Sequence, residues 1–484
     1  MSGLTSATTT TETETRAGGD AVSEASLNGA IQFPTGFRWG TATASYQIEG
    51  AATVGGRTPS IWDTFSHTPG KVVGGDTGDV ACDHYNRYPE DVALLTQLGV
   101  EAYRFSVAWP RIQPDGKGPA NAEGLAFYDR LVDELLGAGI HPMLTLYHWD
   151  LPQTLQDLGG WPNRDTAYRF AEYATMVHSH LGDRIQDWTT LNEPFCSAFL
   201  GYNAGVHAPG VKDPEQAVLA LHHLLLGHGL ATEAMRAQAS PDQRFSIVLN
   251  LATVRTDGDT AEHREAARRV DGLQNRIFLD PVLRGEYPAD VVADLAPLTD
   301  FGFVADGDMT TISAPLDLLG INNYSCSRVG PGGPEESPGP FPGLRHATLL
   351  PPRGPLTHIG WEQDPDGLYE LLVRIHQDYR PIPMMITENG AAFADVVSAD
   401  GRVRDPERQA YLNGHVRAVH RAIQSGVDMR GYLAWSLLDN FEWAEGYAMR
   451  FGIVHVDFET QRRTIKESGH WFAGLARRNG LPAS

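Results

Sequence analysis

Short apolar or β-branched runs alternate with helical patterns about eight times along this chain, and that order limits its fold more than any other feature. The runs Ala102–Val107, Pro142–Tyr147, Phe245–Asn250, Leu316–Ile321, Met384–Thr387 and Gly431–Trp435 read as buried strands, and Arg38–Thr43 and Trp188–Leu191 as two weaker ones. Between them, helical patterns over Pro89–Leu98 and Ala126–Leu136 stop at Gly99 and Gly137, and that over Arg408–Gln424 stops before Gly426. Strand-then-helix repetition of this length predicts an α/β fold, a single (β/α)8 barrel with long loops at the C-terminal face of its strands. A doubly wound open sheet is the competing arrangement, but the GxGxxG turn that often follows its first strand is missing. No Pro/Gly/Ser linker divides residues 29–484, so they are expected to form one domain. Residues 1–28 are a Thr/Ser/Glu-rich tail with almost nothing to bury and are expected to be disordered. Val329–Pro355, dense in Gly and Pro, is expected to be a long surface loop framing a site mouth.

Composition removes several classes of function. A formal net charge of −22 opposes binding to nucleic acid or to an anionic membrane. Cys82, Cys196 and Cys326 are too few and too scattered for a disulfide scaffold or a cysteine zinc site, and fit a reducing compartment. No run approaches the roughly 18 apolar residues of a membrane span. The N-terminal residues have neither the apolar stretch nor the basic cluster of a secretory leader. The expected location is cytoplasmic. The acidic surface, without an obvious apolar stripe, fits a monomer and a homo-oligomer equally.

In such a barrel, chemistry sits where strands end. Glu193 and Glu388 each stand between a strand and a Pro or Gly turn, on the fourth and seventh strands, where they can face one another across the mouth. Tryptophan, His, Asn and Gln at the other strand ends make a sugar site the natural reading. Aromatic faces stack on sugar C–H surfaces, amides and carboxylates bind hydroxyls, and a carboxylate pair cleaves a glycosidic bond. Taken singly, each glutamate also fits a strand-end ion pair.

At this point the sequence resembles glycoside hydrolase family 1, in particular its bacterial β-glucosidases. FPTGFRWGTATASYQIEGA, YRFSVAWPRI, TLYHWDLPQ, TLNEPFCSAFLGY, VHAPG, GINNY, ITENGA, WSLLDNFEWAEGY and RFGIVHVDF carry the likeness over residues 31–484. The resemblance implies a (β/α)8 barrel with Glu193 as general acid/base and Glu388 as nucleophile. Arg104 would lie beside Glu388 and favour its charge, and that charge would raise the pKa of Glu193. By the same resemblance, Gln47, His148, Asn192, Glu442 and Trp443 bind sugar hydroxyls, and Trp435 forms a stacking floor. Tyr324 bonds the nucleophile with Asn322 beside it, Phe451 is a pocket wall, and Trp361 is a platform for the leaving group. Glu at position 193 excludes the thioglucosidase pattern, which has Gln there, and Glu442 would repel a 6-phosphate. Phe195 stands where the family often has Trp, which leaves the aglycone preference open.

The resulting expectation is a retaining β-glucosidase, with no cofactor and no metal. It would act on small-molecule β-glucosides and cello-oligosaccharides, with β-galactosidase or β-fucosidase side activity and transglycosylation. The alternative is a non-catalytic sugar-binding protein on the same fold. His222, His223 and His228 do not share one helix face and lack a carboxylate partner, so they are read as packing residues. Cys326 is read as an inert thiol. Asp76, Asp79 and Asp83 lack EF-hand spacing.

Overall fold

Eight parallel strands close on themselves in a computed structural model that describes residues 30–482. The tail expected over residues 1–28 lies outside the described residues. The strands are β1 (Arg38–Ala42), β2 (Ala102–Ser106), β3 (His141–Tyr147), β4 (Asp187–Asn192), β5 (Arg244–Asn250), β6 (Leu318–Asn322), β7 (Met384–Asn389) and β8 (Met429–Trp435). Neighbours in sequence are neighbours in the barrel, and β8 pairs with β1 to close it. Each strand follows one of the expected runs, because a strand covered by helices outside and side chains inside reads as continuous apolar sequence.

Helices α1 (His84–Leu98), α2 (Ala122–Gly137), α3 (Asp165–Leu181), α4 (Pro214–Arg236), α5 (Ala261–Asp271), α6 (Pro365–Asp378), α7 (Pro406–Gln424) and α8 (Glu467–Arg478) follow the eight strands in turn. Gly99 ends α1 in the left-handed region, φ 65°, as its position predicts. Two of the three expected helices start more than two residues from their expected positions. The first helix starts five residues earlier, at His84, and holds Pro89 inside it, while the His84 ring bonds Asp91 at 2.8 Å and fixes the extra turn. The second runs through Gly137 and begins at Ala122, where the Asn121 side chain accepts from Glu123 N–H at 3.3 Å.

Other corrections concern the loops. The first strand stops one residue short of the expected run and well before Gln47. It ends at Ala42, and the chain turns into a short helix, Ser45–Ile48, anchored by the Ser106 hydroxyl on Ser45 N–H at 2.7 Å. Val329–Pro355 is not loop alone. Ser327–Pro331 and Ala347–Leu349 pair antiparallel, and Val254–Thr256 joins them in a small sheet outside the barrel. Its Gly and Pro content conceals the pairing from any reading by composition. His222 does have a carboxylate partner: Asp308, from a distant segment, lies 2.9 Å from its ring, so the residue is buried and bonded as a packing histidine. His223 bonds Trp161 O and His228 bonds Thr190. Among the described residues no His/Cys/Asp/Glu group is arranged to hold a metal, and no helix is long and apolar enough to cross a membrane.

Behind the ends of β7 and β8 lies a buried ionic cluster. Asp395 follows β7 and Asp439 follows β8. Lys466, at the start of α8, donates to both, with 2.7 Å to Asp439. Arg408 on α7 pairs with Asp395 at 2.7 Å and with Asp405, and Arg450 pairs with Asp439 at 2.7 Å. Burial holds the Lys466 ammonium below its ordinary pKa, opposed by the two carboxylates. Removing one member strands its buried partners. Lys466→Met, which keeps the volume and deletes the charge, is therefore expected to destabilise the fold by about 3–5 kcal/mol in urea unfolding. A loss below about 1 kcal/mol, the range of an exposed pair, would contradict this account.

Candidate active site

The C-terminal strand ends surround a cavity of about 580 Å³. Glu193, Glu388, His148, Asn322, Tyr324, Trp361, Trp435, Glu442, Trp443 and Phe451 line it. Gln47, Arg104 and Asn192 lie one layer beneath, fully buried, and bond to lining residues. All thirteen residues singled out from sequence thus come together.

Each carboxylate has a distinct setting. Arg104 Nη1 donates to Glu388 Oε1 at 2.6 Å, and the Tyr324 hydroxyl donates to Glu388 Oε2 at 2.6 Å. Burial raises the Glu388 carboxyl above the ordinary range, while Arg104 and then Tyr324 pull it back toward ionisation. Glu193 accepts from Asn322 Nδ2 at 2.6 Å on Oε1 and from the Cys196 thiol at 3.1 Å on Oε2. It has no direct cation among the described residues. Its pKa is pushed up to about 8, by burial first and by the charge of Glu388 second. This order refines the expectation from sequence, in which Glu388 alone raised it. Glu442 is likewise raised to about 8, again mainly by burial and then by Glu388 and Glu193.

The hydrogen bonds of the floor run in one determined direction. The Thr387 hydroxyl donates to Asn322 Oδ1 at 2.8 Å, so the Asn322 amide N–H group faces Glu193 and Asn192 Oδ1. Arg104 Nη2 also donates to Asn192 Oδ1, at 2.7 Å. The Asn192 N–H group must then point at His148 Nε2, 3.0 Å away. His148 is held neutral, its pKa well below the usual value through burial and then through Arg104. With Nε2 accepting, its single proton sits on Nδ1. Neither His148 Nδ1 nor Gln47 Oε1 finds a partner among the described residues, although both are buried. One donor and one acceptor thus await a ligand. Gln47 Nε2 is spent on Asn440 at 3.0 Å, Phe441 O at 2.9 Å and Glu442 at 3.4 Å, which leaves its oxygen as the free end.

Aromatic rings wall the cavity. The His148 ring lies between Trp435 and Trp443, with centroids 5.9 and 5.8 Å away and planes nearly parallel. Trp443 packs in turn on Trp149 at 4.4 Å and on Trp62 at 4.5 Å. Trp361 and Phe451 meet Tyr324 from the other side, at 5.4 and 6.1 Å. Toward solvent the rim turns apolar through Phe195, Leu200, Val206, Phe341, Leu349 and Ile359. Trp149, Glu193 and Trp443 carry positive φ values of 77°, 46° and 52°, which L side chains rarely adopt. Gly390, next but one after Glu388, has no alternative, because a Cβ there would collide with the carbonyl oxygen of Trp435.

Several site residues escaped the reading from sequence. Trp149 supports the floor through Nε1 to Asn192 O at 2.9 Å. Its adjacency to His148 was the available signal. Cys196 lies three residues after Glu193, a helical spacing that puts the two side chains together. Phe341 comes from the Gly/Pro-rich stretch, where nothing local marks it. Cys326 is half-buried at the mouth, and its thiol is pushed up to about 12 by burial, then by Asp364 and Glu362, so it is a poor nucleophile.

The family model of Glycosyl hydrolase family 1 matches residues 30–481. A bifunctional beta-D-glucosidase/beta-D-fucosidase from Bifidobacterium breve is 51% identical over 453 residues, 91% of this chain and 97% of that protein. A thermostable beta-glucosidase B from Thermobispora bispora is 53% identical over 454 residues, 94% of this chain and 92% of that one. Among solved structures, a family 1 β-glucosidase from Thermotoga maritima in complex with isofagomine lactam aligns with a TM-score of 0.89 at 46% identity, over 93% of this chain and 100% of that chain. With two buried carboxylates at the fourth and seventh strand ends of a closed barrel and a match over nearly its whole length, the chain belongs to glycosyl hydrolase family 1.

Proposed function

We propose that residues 29–484 form one catalytic unit, a retaining β-glucosidase that releases terminal non-reducing β-D-glucosyl residues from cello-oligosaccharides and from aryl or alkyl β-glucosides. The observation that carries this reading is the asymmetry of the two carboxyls. Glu388 has a guanidinium and a phenol on its oxygens, whereas Glu193 has only an amide and a thiol. Of two buried carboxyls that feel each other's charge, the one with the cation ionises first, and the other keeps its proton. Glu388 is therefore the nucleophile and Glu193 the acid. In a retaining pair the carboxyls stand about 5–5.5 Å apart, and Asn322, which donates to Glu193, also favours the charge of Glu388.

In the first step, a Glu388 oxygen forms a bond to the anomeric carbon. The glycosidic C–O bond breaks, and the leaving oxygen takes the proton of Glu193. In the second step, Glu193, now a carboxylate, removes a proton from water. That water oxygen bonds the anomeric carbon and Glu388 departs. A sugar hydroxyl in place of water gives transglycosylation. His148 Nδ1–H and Gln47 Oε1 would donate to and accept from glucose hydroxyls, with Asn192, Glu442 and Trp443 completing the set and Trp435 beneath the ring. The relative from Bifidobacterium breve is described as also a β-D-fucosidase, which supports side activity on β-fucosides and β-galactosides. Three unpaired cysteines support a reducing, cytoplasmic location.

Glu388→Ala is expected to abolish turnover, and azide or formate is expected to restore part of it. A dead variant that azide leaves dead would remove Glu388 from the nucleophile's role. Glu193→Gln should cost activated aryl glucosides far less than cellobiose, because only the poor leaving group needs protonation. Equal losses would exclude an acid at that position. The profile of kcat/KM against pH should be bell-shaped. Activity requires Glu388 ionised and is lost as pH falls through its pKa. It requires Glu193 protonated and is lost as pH rises through about 8, the limbs belonging to the coupled pair. A profile flat to pH 10 would contradict the assignment.

A further inference from the structure

Cys196 is a buried thiol at the cavity wall with no part in the steps above. It begins a π-helical segment, Cys196–Ala204, directly beyond the turn that carries Glu193, and its N–H donates to Glu193 O at 2.9 Å. That bond fixes the thiol relative to the carboxyl. Its sulfur lies 3.1 Å from Glu193 Oε2 and accepts weakly from Asn250 Nδ2 at 3.9 Å. A sulfur that receives the Asn250 amide on one side turns its own proton the other way, toward Glu193. Asn322 Nδ2 meanwhile holds Oε1 at 2.6 Å.

We propose that Cys196 is a positioning residue for Glu193: its S–H, aimed by Asn250, holds Oε2 while Asn322 holds Oε1, so the carboxyl keeps one plane and its ionised form is favoured. The proposal rests on the acid/base reading of Glu193. A donor to a carboxylate lowers its pKa, whereas the other neighbours act in both directions. Glu388 on β7 raises the Glu193 pKa and Arg104 on β2 lowers it, and the Glu442 carboxyl and the Tyr324 phenol also face the pair. The thiol stays protonated, because burial and the carboxylates around it raise its own pKa. It can therefore act as donor through both steps, toward the base that activates water in the second.

The test is the basic limb of kcat/KM against pH with cellobiose, whose poor leaving group needs the Glu193 proton. Cys196→Val fills the same space without a donor and is expected to raise that limb by about half a unit or more. Cys196→Ser keeps a donor and is expected to leave the limb at or below its position in the unsubstituted enzyme. A thiol that only fills space would alter kcat or thermal stability without separating the two variants. A limb that Cys196→Val leaves in place or lowers overturns the proposal, as does an equal rise in both variants. The leaving-group comparison in Glu193→Gln judges the acid/base reading separately. If that comparison fails, the role of the thiol falls with it. If it holds while the limb stays put in Cys196→Val, only the thiol's role is lost.

Discussion

A single buried guanidinium ties four strands of the barrel to the site. Arg104 rises from β2 and bonds Thr145 of β3 at 3.0 Å, Asn192 of β4 at 2.7 Å and Glu388 of β7 at 2.6 Å. A buried charge is costly unless paired and hydrogen-bonded on every side, and here the pairing spans the barrel interior. Without the guanidinium, Glu388 would be a buried carboxyl with only a phenol and an amide to oppose its desolvation. The orientation of Asn192, and through it the tautomer of His148, would then rest on the Asn322 amide alone. The electrostatics of the acid and the donor pattern offered to the sugar both follow from where this one side chain points.

The barrel was legible because its strands are covered on both faces and its helices on one, which writes two different periods into the sequence. All eight strands follow runs marked in advance, down to the weak Trp188–Leu191, which proves to be the core of Asp187–Asn192. The polar end Asp187 was invisible as strand because its carboxylate is satisfied by His141 and Arg244 from the neighbouring strands β3 and β5 and by Arg38 from β1, across the end of the barrel. Such tertiary pairing leaves no local trace. The small outer sheet was missed for the related reason that Gly and Pro spoke for loop while backbone pairing decided for strand.

The site was legible mainly through its motifs. Spacing and composition alone reached two opposed carboxylates among aromatic and amide groups. The division of roles needed the neighbours: Arg104 and Tyr324 on one carboxyl, and Asn322 and Cys196 on the other. Three residues here, Trp149, Glu193 and Trp443, hold a left-handed backbone, each at a cost of order 1–3 kcal/mol that surrounding packing must offset. Propensity offers no warning of such positions. Trp443 packs against Trp149 and His148 at 4.4 and 5.8 Å, and the ionic cluster around Lys466 clamps the segments after β7 and β8.

The outer sheet also divides the protein into parts free to change at different rates. Phe341 and Leu349 reach the rim from a stretch paired to Ser327–Pro331, which pairs in turn with Val254–Thr256, and none of these is a barrel strand. The glycone side, by contrast, is held by amides and an arginine bonded to one another and to three barrel strands. Mutation at the rim can redraw the surface that meets the leaving group without disturbing the geometry of the two carboxyls. Lineages descended from such a chain would be expected to diversify in aglycone long before they change the sugar they cleave.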